Sequence, residues 1–289
     1  YGLPNHIKGN IDEATLFLCL VNPNIDEVKI SVSDGVRTYY EKARELVSGD
    51  ESLNILDDQG KLKRDANEYI KEHIVDVRET SSILYNELEI VKQSPSNKGT
   101  YYLGHYLPHF IKEFLNKKGS FKNIIQNLTD EWDELEKMSK KIANLEAFPF
   151  RSKNPNYTYK NNKKGTNFTN LLIESDSKVN LLSARVIIWR IIKHLESSDH
   201  KPIFILRRFN TFWLPTISKV LQHDLNFTIE ETNQIINVLD EEYFFTVRKK
   251  DYNGQSGYFG RNFCKNNERI SDSSFKRLVK ETLGEYVRK

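Results

Sequence analysis

The sequence is sparing in the residues that announce a specialised chemistry. It has only two cysteines, Cys19 and Cys264, far apart in the chain, which excludes a disulfide framework and cysteine-spaced zinc motifs. Cys19 lies inside an apolar run and reads as a small core residue. His105 and His109 are four apart, but Pro108 interrupts the helix that would align them, and no companion carboxylate motif accompanies them. No metal and no cofactor is therefore expected. Glycine-rich phosphate loops of standard spacing are lacking, as is a Gly-x-Ser-x-Gly elbow. Apolar runs such as residues 16–21 fall far short of the roughly 20 residues that span a bilayer. The first residues show no basic-then-apolar signal pattern. A cytoplasmic setting without a membrane partner is the expectation. Charge of one sign is also missing: a net +3 over 289 residues is too weak to mark a nucleic-acid binder by itself.

What is present reads as an α/β protein. Hydrophobic residues make up 38% of the chain, enough for a core, and the aromatics raise the burial each apolar position provides. Residues 15–21 are apolar without alternation and bounded by polar turns, which predicts a strand covered on both faces, as in a parallel sheet. Helices are expected over 35–46, 65–74, 82–91 and 100–119, then over the stretch from 123 to 141 with a fresh start at Thr129-Asp130. A short strand begins at Ile142 and becomes a loop at Pro149. A long, nearly all-round apolar helix follows, with Ser183 near its start. Residues 203–206 form a second apolar strand. Thr228 and Glu231 spell a capping box, "YFFTVRKK" reads as a late strand, residues 251–271 as loop, and 272–287 as a helix capped by Ser271 or Asp272. This alternation predicts a three-layer α/β/α sandwich with a central, mostly parallel sheet. The chain is expected to form one domain over 1–289 with a helical insertion at about 40–140.

Open parallel sheets bind ligands beyond the carboxyl ends of their strands, so the polar residues at those ends are the candidates. The first strand stops on Asn22-Pro23-Asn24; that tripeptide either serves a site or simply ends the strand. The second ends on Arg207-Arg208, with Trp213 close by. Two guanidiniums there either grip phosphate or carboxylate or pair with the acidic helices. The third ends on Phe148-Pro149-Phe150-Arg151-Ser152, where aromatics adjoin a base, the combination that holds single-stranded nucleic acid. Residues 151–164 carry five basic and no acidic side chains, although the 160–165 part also reads as a lysine-rich surface loop.

These pieces resemble the uracil-DNA glycosylase-like superfamily. "GNIDEATLFLCLVNPN" is similar to its opening motif, with Asn22 and Pro23 matching and Asn24 standing where glycine is usual. "ANLEAFPFRS" and "LLSARVIIWRII" followed by "KPIFILRRFNTFWL" are similar to later units, in the same order, over roughly residues 9–214. The resemblance implies a DNA base-excision glycosylase, with DNA as partner and a nucleotide flipped into a pocket at the strand ends. Asn22 and Asn24 would be catalytic. Pro23, Phe148, Phe150, Arg151, Ser152, Arg207, Arg208 and Trp213 would bind substrate. The family's His-Pro-Ser triplet is absent; "RNFCKNN" stands in roughly its place and contributes Asn262. That departure keeps two alternatives open: a non-catalytic nucleic-acid or nucleotide-binding module, and a phage- or defence-related protein-interaction protein.

Overall fold

The structure, a computed structural model, describes residues 6–23, 32–38, 40, 55–74, 83–93, 103–104, 106–149, 181–197, 200–247, 263–265 and 268–286. The strands are β1 (Ile7–Lys8), β2 (Leu16–Leu20), β3 (Ile142–Glu146), β4 (Ile203–Leu206), β5 (Phe244–Val247), β6 (Phe263–Lys265) and β7 (Glu268–Arg269). The helices are α1 (Val32–Thr38), α2 (Ala66–Ile74), α3 (Ile83–Gln93), α4 (Pro108–Phe114), α5 (Phe121–Gln126), α6 (Glu131–Lys140), α7 (Leu182–Ser197), α8 (Leu214–Asp224), α9 (Ile229–Glu242) and α10 (Asp272–Leu283). A π-helical turn, Phe209–Trp213, leads into α8. Among the described residues no helix is long and apolar enough to cross a membrane.

One sheet runs β1-β3-β2-β4-β5-β6-β7. Its four central strands, β3, β2, β4 and β5, are parallel, and the antiparallel strands sit at the edges. The fold is thus mixed α/β with a mostly parallel sheet.

β2 has no polar residue because neither face meets water. Leu16, Leu18 and Leu20 enter one core with Ile142, Ile203 and Ile205 and with side chains of α3, α4, α5, α6 and α10. Phe17, Cys19 and Val21 enter a second core with Leu145, Phe204 and Phe244 and with side chains of α7, α8 and α9. Phe17 stacks on Phe204, centroids 4.7 Å apart. The reason for two cores is handedness. Parallel crossovers are right-handed, so the connection from β2 to β3 on one side and those from β3 to β4 and β5 on the other lay their helices on opposite faces. The segment expected as an insertion supplies, from α3 to α6, much of the first core.

Local rules account for most boundaries. Thr228 and Glu231 form the reciprocal capping box at α9, and Ser271 caps α10, which ends at Gly284 with φ +87°. Pro108 opens α4 rather than lying within a longer helix, because proline lacks the amide a helix interior requires. Three features depart from the sequence expectation. The hairpin β6–β7 lies in a stretch read as loop. β1 was too short to signal itself. α8 carries a proper apolar face of Ile217, Val220 and Leu221 just after a proline, a pattern that the aromatic run before it obscured.

Two outcomes test this packing. Gly9 has φ +98°, and a Cβ there would lie 2.8 Å from the Ile142 carbonyl oxygen. Gly9→Ala is expected to destabilise by at least about 1–3 kcal/mol in chemical denaturation, as for other strained backbone positions. Glu131 is held by Lys117 Nζ at 2.5 Å and by the Thr129 amide at 3.0 Å, which lower its carboxyl to about 2, Lys117 contributing most. A depressed pKa adds stability above the unfolded value and loses it as pH falls through the folded one. The melting temperature of the wild type should therefore fall more steeply than that of Glu131→Gln as pH goes from about 4.5 towards about 2.

Candidate functional site

The site follows from strand order. The chain moves from β2 to β3 on one side, then back across to β4 on the other, so strand direction of travel reverses between β2 and β4. At such a reversal the loops diverge and leave a crevice beyond the carboxyl ends. The register brings three ends together there. Leu20 pairs with Glu146 and Cys19 with Leu206. The ladder continues one step past each strand: Arg207 N–H donates to Cys19 O at 2.9 Å, Ala147 N–H to Leu20 O at 3.2 Å, and Phe148 N–H to Val21 O at 2.9 Å.

The sequence-based candidates divide at this mouth. Asn22 is half-buried, and its side-chain amide donates to Pro23 O at 2.9 Å. Pro23 is buried beside it. Arg207 is half-buried and donates from Nη1 to Tyr106 Oη at 3.3 Å. Tyr106 is itself buried in the first core, so its ring braces the guanidinium against the sheet. Arg208 has φ +55° and ψ +47° at the start of the π-helical turn. A non-glycine residue in that left-handed region stores strain of order 1–3 kcal/mol, and single π-turns cluster at functional sites. Asn24, Phe150, Arg151, Ser152 and Asn262 lie outside the described residues.

Two candidates need correction. Phe148 and Trp213 are wholly buried in the second core. Phe148 meets Phe212 edge to face, centroids 5.8 Å apart. The alternation of β3 breaks after Ala147: Ala147 and Phe148 both turn to the second core, while the Phe148 amide still bonds Val21 O. Neither ring has a face to offer a stacked base. They belong to the packing of the second core.

Sequence reasoning passed over Glu146, the last residue of β3. It is wholly buried, as is Asn144, whose Nδ2 donates to Glu146 Oε1 at 3.2 Å. Leu145 and Ala147 face the second core, so Asn144 and Glu146 turn to the opposite face, the side on which Arg207 meets Tyr106. Glu146 and Arg207 stand two strands apart, about 10 Å at the usual strand spacing. The signal was available: two polar residues at i and i+2 in a strand otherwise built for burial. The Glu146 charge reaches Cys19, whose thiol pKa is pushed up first by burial and then by this carboxylate. A protonated, buried thiol is a poor nucleophile.

A buried polar knot fixes the outer wall. Ser183 Oγ, at the start of α7, donates to Glu146 O at 2.6 Å, and His6 Nδ1 lies 2.9 Å from both Ser183 Oγ and Glu146 O. The hydroxyl proton goes to the carbonyl, which only accepts, so Nδ1 carries the imidazole proton and donates. Glu146 N–H returns a bond to His6 O at 2.8 Å. This knot ties β1, β3 and α7 together beside the Glu146 carboxylate.

Among the described residues no group of three or more His, Cys, Asp or Glu is placed to hold a metal ion. Comparison with known proteins finds no matching family model, no matching curated protein and no matching solved structure.

Ser183→Ala removes, in a fully buried setting, the hydroxyl that donates to Glu146 O, and leaves that carbonyl as an acceptor for His6 Nδ1. It is expected to lower unfolding free energy by about 1–3 kcal/mol, the cost of deleting one partner of a buried hydrogen bond, measured by urea denaturation.

Proposed function

We propose that the chain is an α/β/α protein of uracil-DNA glycosylase-like fold that takes nucleic acid at the crevice between β2 and β4. The observation that carries this reading is the convergence of Asn22, Glu146 and Arg207 at neighbouring strand ends around a topological reversal. Two cores on opposite faces of the sheet support the layered architecture. Each group has a task matched to its chemistry. Arg207, braced by Tyr106, presents a planar fork that suits a phosphate. Asn22 contacts the base or positions a water. Glu146 is wholly buried, so it acts through its charge and through the backbone end that it anchors rather than by touching the ligand. Arg208 and Arg151 add backbone affinity, which phosphate contacts supply without sequence information.

The reaction in the catalytic form of this reading is hydrolysis of an N-glycosidic bond, with free base released. A second reading, a binding module that does not cut, has one observation in its favour: the Asn22 amide is engaged with the Pro23 carbonyl next to it. The missing His-Pro-Ser triplet points the same way.

Oligonucleotides containing uracil or hypoxanthine separate the two. Release of free base by the wild type, abolished in Asn22→Ala and in Glu146→Gln, is the outcome expected of the glycosylase. Tight binding without release is the outcome expected of the module. In both, affinity should fall steeply with added salt, and Arg207→Gln should reduce the salt slope by about 1. Binding that ignores salt would falsify both.

A further inference from the structure

A second feature lies at the opposite end of the sheet from the mouth. A cavity of about 280 Å³ opens where the starts of β4 and β5 meet the β6–β7 hairpin and α10. Its walls include the apolar side chains of Ile203, Phe245, Ile270 and Leu278. Three cationic and three anionic side chains also line it, so the cavity carries no net charge. Two of the cations are engaged with carboxylates: Lys201 with Glu242 at 2.6 Å, and Arg277 with Glu281 at 3.8 Å. The third, Lys265, is placed differently. Its Nζ donates to Phe244 O at 3.1 Å and lies over the Phe245 ring, 4.6 Å from the centroid.

We propose that this cavity is a binding site for small uncharged aldehydes and ketones, with the Lys265 amine as the group that bonds their carbonyl carbon. The site is independent of the reading of the mouth. Three properties converge on that ligand class. The volume lies just below the range of small-molecule pockets and admits a small ligand. The balance of charge in the lining gives no preference for an ionic ligand, while the apolar wall favours an alkyl or aryl group. The amine is also activated. Burial is the main cause that brings its pKa down to about 8, and Lys201 adds to it, against the opposing pull of Asp240, Glu241 and Glu242. A desolvated lysine of this kind is the usual means of activating an amine for imine formation.

The chemistry balances without an oxidant or a further reactant. The nitrogen lone pair adds to the carbonyl carbon, and the carbonyl π pair goes to oxygen. A proton passes from nitrogen to that oxygen to give a carbinolamine. Loss of water then leaves the imine, and hydrolysis reverses it.

The test is reductive trapping on the full chain with propanal and cyanoborohydride, read by peptide mass mapping. At pH 7.5, Lys265 is expected to be alkylated at least ten-fold faster than the exposed Lys140, with a rate that levels off above about pH 8. Lys265→Arg should remove this fast phase and leave Lys140 unchanged. A dextran-borne aldehyde, too large to enter, should label Lys140 and spare Lys265. Equal rates at the two lysines with propanal overturn the proposal. So does labelling of Lys265 by the dextran aldehyde as fast as by propanal, because the cavity then selects nothing.

Discussion

The backbone ladder on the two edges of β2 is the constraint on which the rest depends. β2 donates and accepts on one side with β3 and on the other with β4, both parallel to it. A central parallel strand has no free edge and no wet face, so its register is fixed twice, once by hydrogen bonds and once by the alternation of its side chains. A slip of one residue would send Phe17, Cys19 and Val21 into the core now filled by Leu16, Leu18 and Leu20. It would also misalign the ends after Val21, Ala147 and Leu206, and the mouth would not form. Stability and site geometry therefore rest on the same bonds.

Polarity at the mouth is arranged around that constraint. The first polar groups appear two positions past β2, at Asn22, and one past β4, at Arg207, but within β3, at Asn144 and Glu146. A buried carboxylate at a strand end is costly unless its surroundings are polar and organised. The neighbouring Asn144 amide, and the His6–Ser183 knot on the backbone of the same residue, hold that end in one arrangement. The strained Arg208 and the π-turn after β4 belong with these features. Each departs from what is locally favourable, and all lie at one end of one sheet.

Much of the fold was legible. The strand at 203–206 and the caps at Thr228 and Ser271 follow from short-range chemistry, because each boundary is set by residues within a turn of it. The edge elements were not. β1, β6 and β7 are two or three residues long, and a strand that short exists only because a partner edge is waiting for it. The candidate strand ends were legible in part. Asn22 and Arg207 stand out as polar residues that end apolar runs. Phe148 and Trp213 were misread because an aromatic ring a few residues from an arginine looks the same in sequence whether it faces a ligand or the core. Glu146 was overlooked because its i, i+2 spacing from Asn144 shows that the two share a face but not what that face meets.

The sequence by itself determined which segments are buried on both faces, where most helices start, and that rigid polar stops follow the strands. These are properties of neighbours in the chain: period, capping and the missing amide of proline. Tertiary structure alone decided that the stops after β2, β3 and β4 lie side by side, that Glu146 shares a face with Arg207, and that Lys265 lines a cavity with side chains from β4, α9 and α10. Those facts depend on strand order and crossover hand, which arise when distant segments compete to cover the same apolar surface, and no local pattern encodes the winner.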